Sequence, residues 1–173
     1  TAIIAGDVNG DGYCDILATT EYYKTGTPGQ EGGAALYFND TTGSLEPEPA
    51  ISFLGPGRFG MNIDIGDLDE DGLDDLAIGA YLSENPAGTE KAGALAVYLG
   101  ASLMAEPDGT TLQMEDADWL FYGNTKSAHF GREVAIGDAN GDGVDDLAIS
   151  ASAGEPTSGS PVNAGMVYLY LGG

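Results

Sequence analysis

One acidic pattern, D-x-[D/N]-x-D-G-x-x-D, occurs three times in this chain and constrains its fold more than any other feature. The first copy offers Asp7, Asn9, Asp11 and Asp15, the second Asp67, Asp69, Asp71 and Asp75, the third Asp138, Asn140, Asp142 and Asp146. Asp67 follows Asp7 by 60 residues, and Asp138 follows Asp67 by 71. Oxygen-bearing side chains at alternate positions of a turn converge on one point. That suits calcium, a hard cation that takes six to eight oxygen ligands at short range. The sixth position is glycine in every copy (Gly12, Gly72, Gly143), where the chain must turn sharply. The seventh (Tyr13, Leu73, Val144) varies in side chain because what it offers is its backbone carbonyl. The pattern predicts three calcium sites built from these residues. Magnesium suits them less, because it resists dehydration and rarely uses an all-protein cage.

An EF-hand loop begins in the same way but places a glutamate at position twelve. Here that place is Ala18, Ile78 or Ile149, each inside a strand-like run, and the last acid sits at position nine. Each loop therefore reads as a hairpin connection between two strands. More than the loop repeats. Phe59-Gly60 and Phe130-Gly131 precede the second and third copies at equal distance. Downstream of each copy comes a glycine and an alternating aromatic run: GGAALYFN from Gly32, GALAVYLG from Gly93 and GMVYLYLG from Gly165. A further apolar run closes the first two units, AISFLG from Ala50 and DWLFYG from Asp118. In the second unit the expected strands are 59–65, 74–80, 94–99 and 119–123. Four short antiparallel strands per unit make a propeller-type blade, which must stack on neighbours to bury its faces. The expected repeats are 1–58, with its first strand incomplete, 59–129, and 130–173, with its fourth strand missing. Three blades do not close a ring, so a partial propeller or array is expected, completed by further sequence or by another subunit, head to tail.

Against 28 acidic residues stand 5 basic ones, a formal net charge of −23. Such a surface repels nucleic acid and anionic lipid and attracts cations. No apolar run is long enough to span a bilayer. Thr1 is not an initiator methionine, so the chain reads as a processed or excised piece of a longer product. The single cysteine, Cys14, forms no internal disulfide and is expected to be a buried spectator thiol. His129 is the only histidine and has no nucleophile constellation around it, so a packing role is expected. The long connections 22–31, 82–92 and 153–164 lie opposite the acidic turns, and Tyr22, Tyr23 and Lys24 are the best candidates for partner contacts.

Taken together, the chain resembles the FG-GAP repeat, the blade unit of the integrin α-subunit β-propeller. Phe59-Gly60 and Phe130-Gly131 match the first element, and Gly79-Ala80-Tyr81 matches the second with tyrosine in place of proline. Ser150-Ala151-Ser152 and Ala18-Thr19-Thr20 match it more weakly, and the acidic loops match best. The resemblance implies an all-β protein of three FG-GAP blades with calcium on one face. It implies a non-enzymatic, calcium-stabilised adhesion or structural module, extracellular or at the cell surface, with a protein partner or self-assembly. The alternatives are a carbohydrate-binding propeller lectin, for which a glycan is the ligand, and an accessory domain of a secreted enzyme.

Overall fold

A computed structural model describes residues 2–20, 32–39, 42, 44–153 and 164–172. Tyr22, Tyr23, Lys24 and most of the 153–164 connection lie outside the described residues.

The strands are β1 (Ile3–Gly6), β2 (Asp15–Thr20), β3 (Gly32–Tyr37), β4 (Ile51–Gly55), β5 (Ile63–Gly66), β6 (Asp75–Ala80), β7 (Ala94–Tyr98), β8 (Thr110–Gln113), β9 (Trp119–Tyr122), β10 (Phe130–Gly137), β11 (Asp146–Ala151) and β12 (Met166–Tyr170). One short helix, α1, spans Gly100–Met104. The strands form three sheets, ordered β1-β2-β3-β4-β8, β5-β6-β7-β9 and β10-β11-β12. The acidic loops join β1 to β2, β5 to β6 and β10 to β11. In each case the pairing ends on the same register, Gly6 opposite Asp15, Gly66 opposite Asp75 and Gly137 opposite Asp146. The loops are hairpin connections, and the blades are antiparallel as the repeats require.

Two features depart from the sequence reading. Residues 100–117 of the second unit hold α1, β8 and a turn of 3-10 helix, and β8 leaves its own unit to pair with β4 of the first sheet in parallel. The run Phe59–Ile65 is not one strand: β5 begins at Ile63. Phe59 and Gly60 lie in a turn, because the Phe59 ring is drawn onto the preceding blade. There it is fully buried against Gly55, and the Phe59 backbone lies over Gly32. Phe130 does the same one unit later, and β10 shifts register between Phe130 and Val134. Each Phe-Gly element thus begins one blade and packs into the one before. Gly93 shows why the receiving position is glycine. Its φ is +85°, and a Cβ would lie 2.5 Å from the backbone nitrogen of Phe130 and closer still to its oxygen.

Stacking decides burial. The middle sheet is covered on both faces, and every residue of β6 and β7 is buried. In the first sheet β2 alternates between buried and half-buried residues, as a strand with one covered face does. One apolar cluster joins the first and second sheets through Leu36, Phe53, Phe59, Ile78 and Tyr98. A second joins the middle and third sheets through Leu95, Val97, Phe130 and Ile149. Each large side chain so covered contributes about 1.5–3 kcal/mol. The outward faces are different: Ile3 is 70% exposed on β1, and Val167 and Leu169 are 72% and 52% exposed on β12.

Candidate metal centres

The three loops share one hydrogen-bonding scheme, set by residue order alone. The first aspartate of each accepts from the backbone N–H groups at positions five and six. For Asp67 these are Asp71 (3.2 Å) and Gly72 (3.0 Å); for Asp7 they are Asp11 (3.0 Å) and Gly12 (2.9 Å). Asp138 accepts from Asp142 (3.1 Å) and Gly143 (2.9 Å), and also from Gly141 (2.6 Å). The third-position oxygens of Asn9, Asp69 and Asn140 accept from the position-five N–H. The position-five carboxylates, Asp11, Asp71 and Asp142, accept from the N–H at position seven. These bonds curl the turn so that the side chains face its centre. Position six is left-handed in all three, with φ of +87°, +86° and +95°. A Cβ there would touch nothing within 4 Å, so conformation and not crowding requires glycine. Position four is also left-handed: Gly10 and Gly141 fill it in the outer loops, and Glu70 holds it at φ +60° in the second.

In the second loop one carboxylate oxygen from each of Asp67, Asp69 and Asp71 lies within 4.8 Å of the others. Partial burial and the neighbouring charge of Asp71 raise the Asp69 pKa. In the first and third loops an asparagine oxygen replaces one carboxylate. In the third, the Asn140 Nδ2 also donates to Asp142 Oδ2 at 2.8 Å. That bond and the N–H of Val144 lower the Asp142 pKa, the Val144 bond more. No lysine or arginine lies within any of the loops.

Position nine behaves differently from the rest. Asp15, Asp75 and Asp146 are buried, and both oxygens of each accept backbone N–H bonds. Asp75 Oδ2 accepts from Leu68 at 2.9 Å and Oδ1 from Gly100 at 2.8 Å, so one carboxylate ties the loop to the end of β7. Asp15 joins Val8 and Asn9 to Asn39, and Asp146 joins Ala139 to Gly172. Burial pushes the Asp75 carboxyl up to about 6 against the opposing effect of these bonds, and raises that of Asp15. Asp75 stands outside the three-carboxylate group of its loop. The sequence names position nine as a ligand and does not show this bracing role, because Gly100, Asn39 and Gly172 come close only after the third strand folds back.

Position eight carries a contact that the sequence analysis misses. Asp74 reaches the first loop, where its Oδ2 accepts the Asp7 N–H at 2.7 Å. The signal was present as the Asp-Asp pair at 74–75 and again at 145–146. The equivalent in the first loop is Cys14, which is exposed and not the buried thiol expected of it. Its neighbour Asp15 takes the interior and turns position fourteen outward. His129 is half-buried, with its ring edge-on to Tyr81 at 5.7 Å, in keeping with a packing role.

On the same side as the loops, a cleft of about 210 Å³ separates the second and third blades. Trp119, Phe121 and Tyr170 line it, and Trp119 is 37% exposed. Among the described residues no helix is long and apolar enough to cross a membrane.

Comparison with known proteins agrees with this architecture. An FG-GAP-like repeat model matches residues 3–78, and the FG-GAP repeat model matches 59–98 and 130–170. Integrin alpha-PS5 of Drosophila melanogaster is 31% identical over 98% of the chain, and integrin alpha-4 of Xenopus laevis 32% over 87%. Integrin alpha-3 of Mus musculus is 35% identical over 46%. The chain spans 15%, 14% and 8% of the length of these relatives respectively.

Proposed function

Because the chain belongs to the FG-GAP repeat family, we propose that it is a non-enzymatic adhesion module at the cell surface or outside the cell, held in shape by three calcium ions. The observation that carries the calcium reading is the second loop, where three carboxylate oxygens converge within 4.8 Å and the loop itself holds no lysine or arginine. The donor set fits: all the side-chain ligands are hard oxygens. The backbone N–H bonds to them leave lone pairs free, since an ionised carboxylate offers about four acceptor sites. Asp7, Asn9, Asp11 and Asp15, with the Tyr13 carbonyl, would hold the first ion. Asp67, Asp69, Asp71 and Asp75, with the Leu73 carbonyl, would hold the second. Asp138, Asn140, Asp142 and Asp146, with the Val144 carbonyl, would hold the third. The position-nine carboxylates serve as brace and ligand together.

Calcium here stabilises rather than catalyses. An ion that binds only the folded form adds RT ln(1 + [L]/Kd), about 2.7 kcal/mol at a hundredfold excess over Kd. Three such ions give roughly 8 kcal/mol, comparable to the whole stability of a typical domain, about 5–15 kcal/mol. The test is a thermal melt in excess calcium and again in excess chelator. A steep fall of the midpoint on chelation is expected, and an unchanged midpoint refutes the reading.

The exposed apolar positions Ile3, Val167 and Leu169 support docking of the outer blades against further blades or another subunit, head to tail. A compact monomer in sedimentation with calcium present would count against it. A second reading, glycan binding, is favoured by the aromatic cleft at Trp119 and Tyr170. A glycan array that gives no hit disposes of it.

A further inference from the structure

The first two acidic loops approach each other where the Leu73 side chain lies over Gly10, and Asp74 hydrogen-bonds one loop to the other. Asp74, at position eight of the second loop, and Asp7, at position one of the first, exchange two hydrogen bonds. The Asp7 N–H donates to Asp74 Oδ2 at 2.7 Å, and the Asp74 N–H donates to the Asp7 carbonyl at 3.1 Å. Gly6 leaves room for this, since a Cβ there would lie 2.6 Å from Asp74 Oδ2. The juxtaposition recurs at the next boundary, where a Cβ on Gly66 would lie 2.6 Å from Asp145 Oδ2. Asp74 stands outside the three-carboxylate group of its own loop. Its side chain is committed to the neighbouring loop.

We propose that Asp74 is a positioning residue that couples the first two calcium loops: filling the second loop fixes Asp74, and Asp74 fixes the first ligand of the first loop. This rests on the calcium reading above. The physical basis is ordering. An ion held by Asp67, Asp69, Asp71, the Leu73 carbonyl and Asp75 immobilises the backbone on both sides of Asp74. The clamp then spares the first loop part of the entropy it would lose on ordering Asp7, so the two sites bind with positive cooperativity.

The experiment is a calcium titration of this chain labelled with 15N-glycine, followed by NMR. The amides of Gly12, Gly72 and Gly143 each donate to the first aspartate of their own loop, so each reports one site. In the wild type, Gly12 and Gly72 should titrate together and steeply. In Asp74→Ala the Gly12 midpoint should rise roughly tenfold, the loss expected of a hydrogen bond to a charged group, while Gly143 stays in place. Asp74→Asn, which keeps a neutral acceptor oxygen, should restore part of the affinity. The coupling is overturned if Gly12 does not move in Asp74→Ala, if all three midpoints move together, or if Asp74→Asn is as weak as Asp74→Ala. Should Asp74→Ala fail to fold, the wild type decides: separate, shallow titrations of Gly12 and Gly72 overturn the coupling. If no glycine amide of the wild type responds to calcium, the calcium reading itself has failed, and the coupling falls with it.

Discussion

Gly93→Ala should damage the protein through the contact between blades, and a second glycine of nearly the same conformation provides the control. Gly93 has φ +85° and Gly109 has φ +82°. An alanine forced into this left-handed region costs about 1–2 kcal/mol at either place. The surroundings differ. At Gly109 a Cβ meets nothing within 4 Å; at Gly93 it lies 2.5 Å from the Phe130 backbone nitrogen, with the Phe130 oxygen closer. The obstacle is backbone and cannot rotate away. The Phe-Gly element must retreat from its seat, and overpacking of this kind costs a further 1–3 kcal/mol or so. In a chain of this size 1 kcal/mol moves the melting temperature by about 2–4 °C. Gly109→Ala should therefore fall by about 2–8 °C, and Gly93→Ala by a further 2–12 °C or so. The assay is a calorimetric or circular-dichroism melt of the three proteins in excess calcium. Equal losses in the two variants would refute the argument, because they would mean that Gly93 is required for its conformation and not for the approach of the next blade.

Glu70→Gly should raise the melting temperature in chelator, by up to about 1 kcal/mol of stability, because Glu70 alone holds the left-handed fourth position that Gly10 and Gly141 hold in the other loops; a melt that falls refutes this. His129 should make the protein acid-sensitive: burial, with the Arg132 and Lys91 charges, lowers its folded pKa, so its stabilising effect is complete above the unfolded value of about 6.5 and is lost as pH falls below it. His129→Asn, which tolerates the left-handed φ of +56°, should flatten the fall in stability between pH 7.5 and pH 5.5, and an unchanged slope in urea melts would exclude the histidine. The second loop, with four carboxylates against three plus an asparagine, should be the last to release calcium to a chelator, read from the Gly72 amide. Earlier release than from the outer loops would show that geometry outweighs charge.

The amino-acid sequence by itself determined what is local. Nine residues with oxygens at alternate positions and glycine at the sixth curl into the same turn three times, because the hydrogen bonds within that turn join residues two to seven apart. The flanking runs dictate the hairpins and hence the all-β blades. Tertiary structure decided what depends on residues that meet only after the chain folds back. Phe59 looks like the start of a strand and instead packs into the previous blade, where Gly55 leaves room for its ring, while Phe130 begins β10 and presses its backbone on Gly93 of the blade before. Thr110–Gln113 carries no mark of leaving its own unit, yet it pairs with β4, because that edge stands open beside it. Asp75 and Asp74, adjacent and chemically identical, take opposite parts: one is buried as a brace for its own blade, the other reaches across to Asp7. A pleated strand sends successive side chains to opposite faces, but which face meets a neighbouring blade is fixed only when the blades stack.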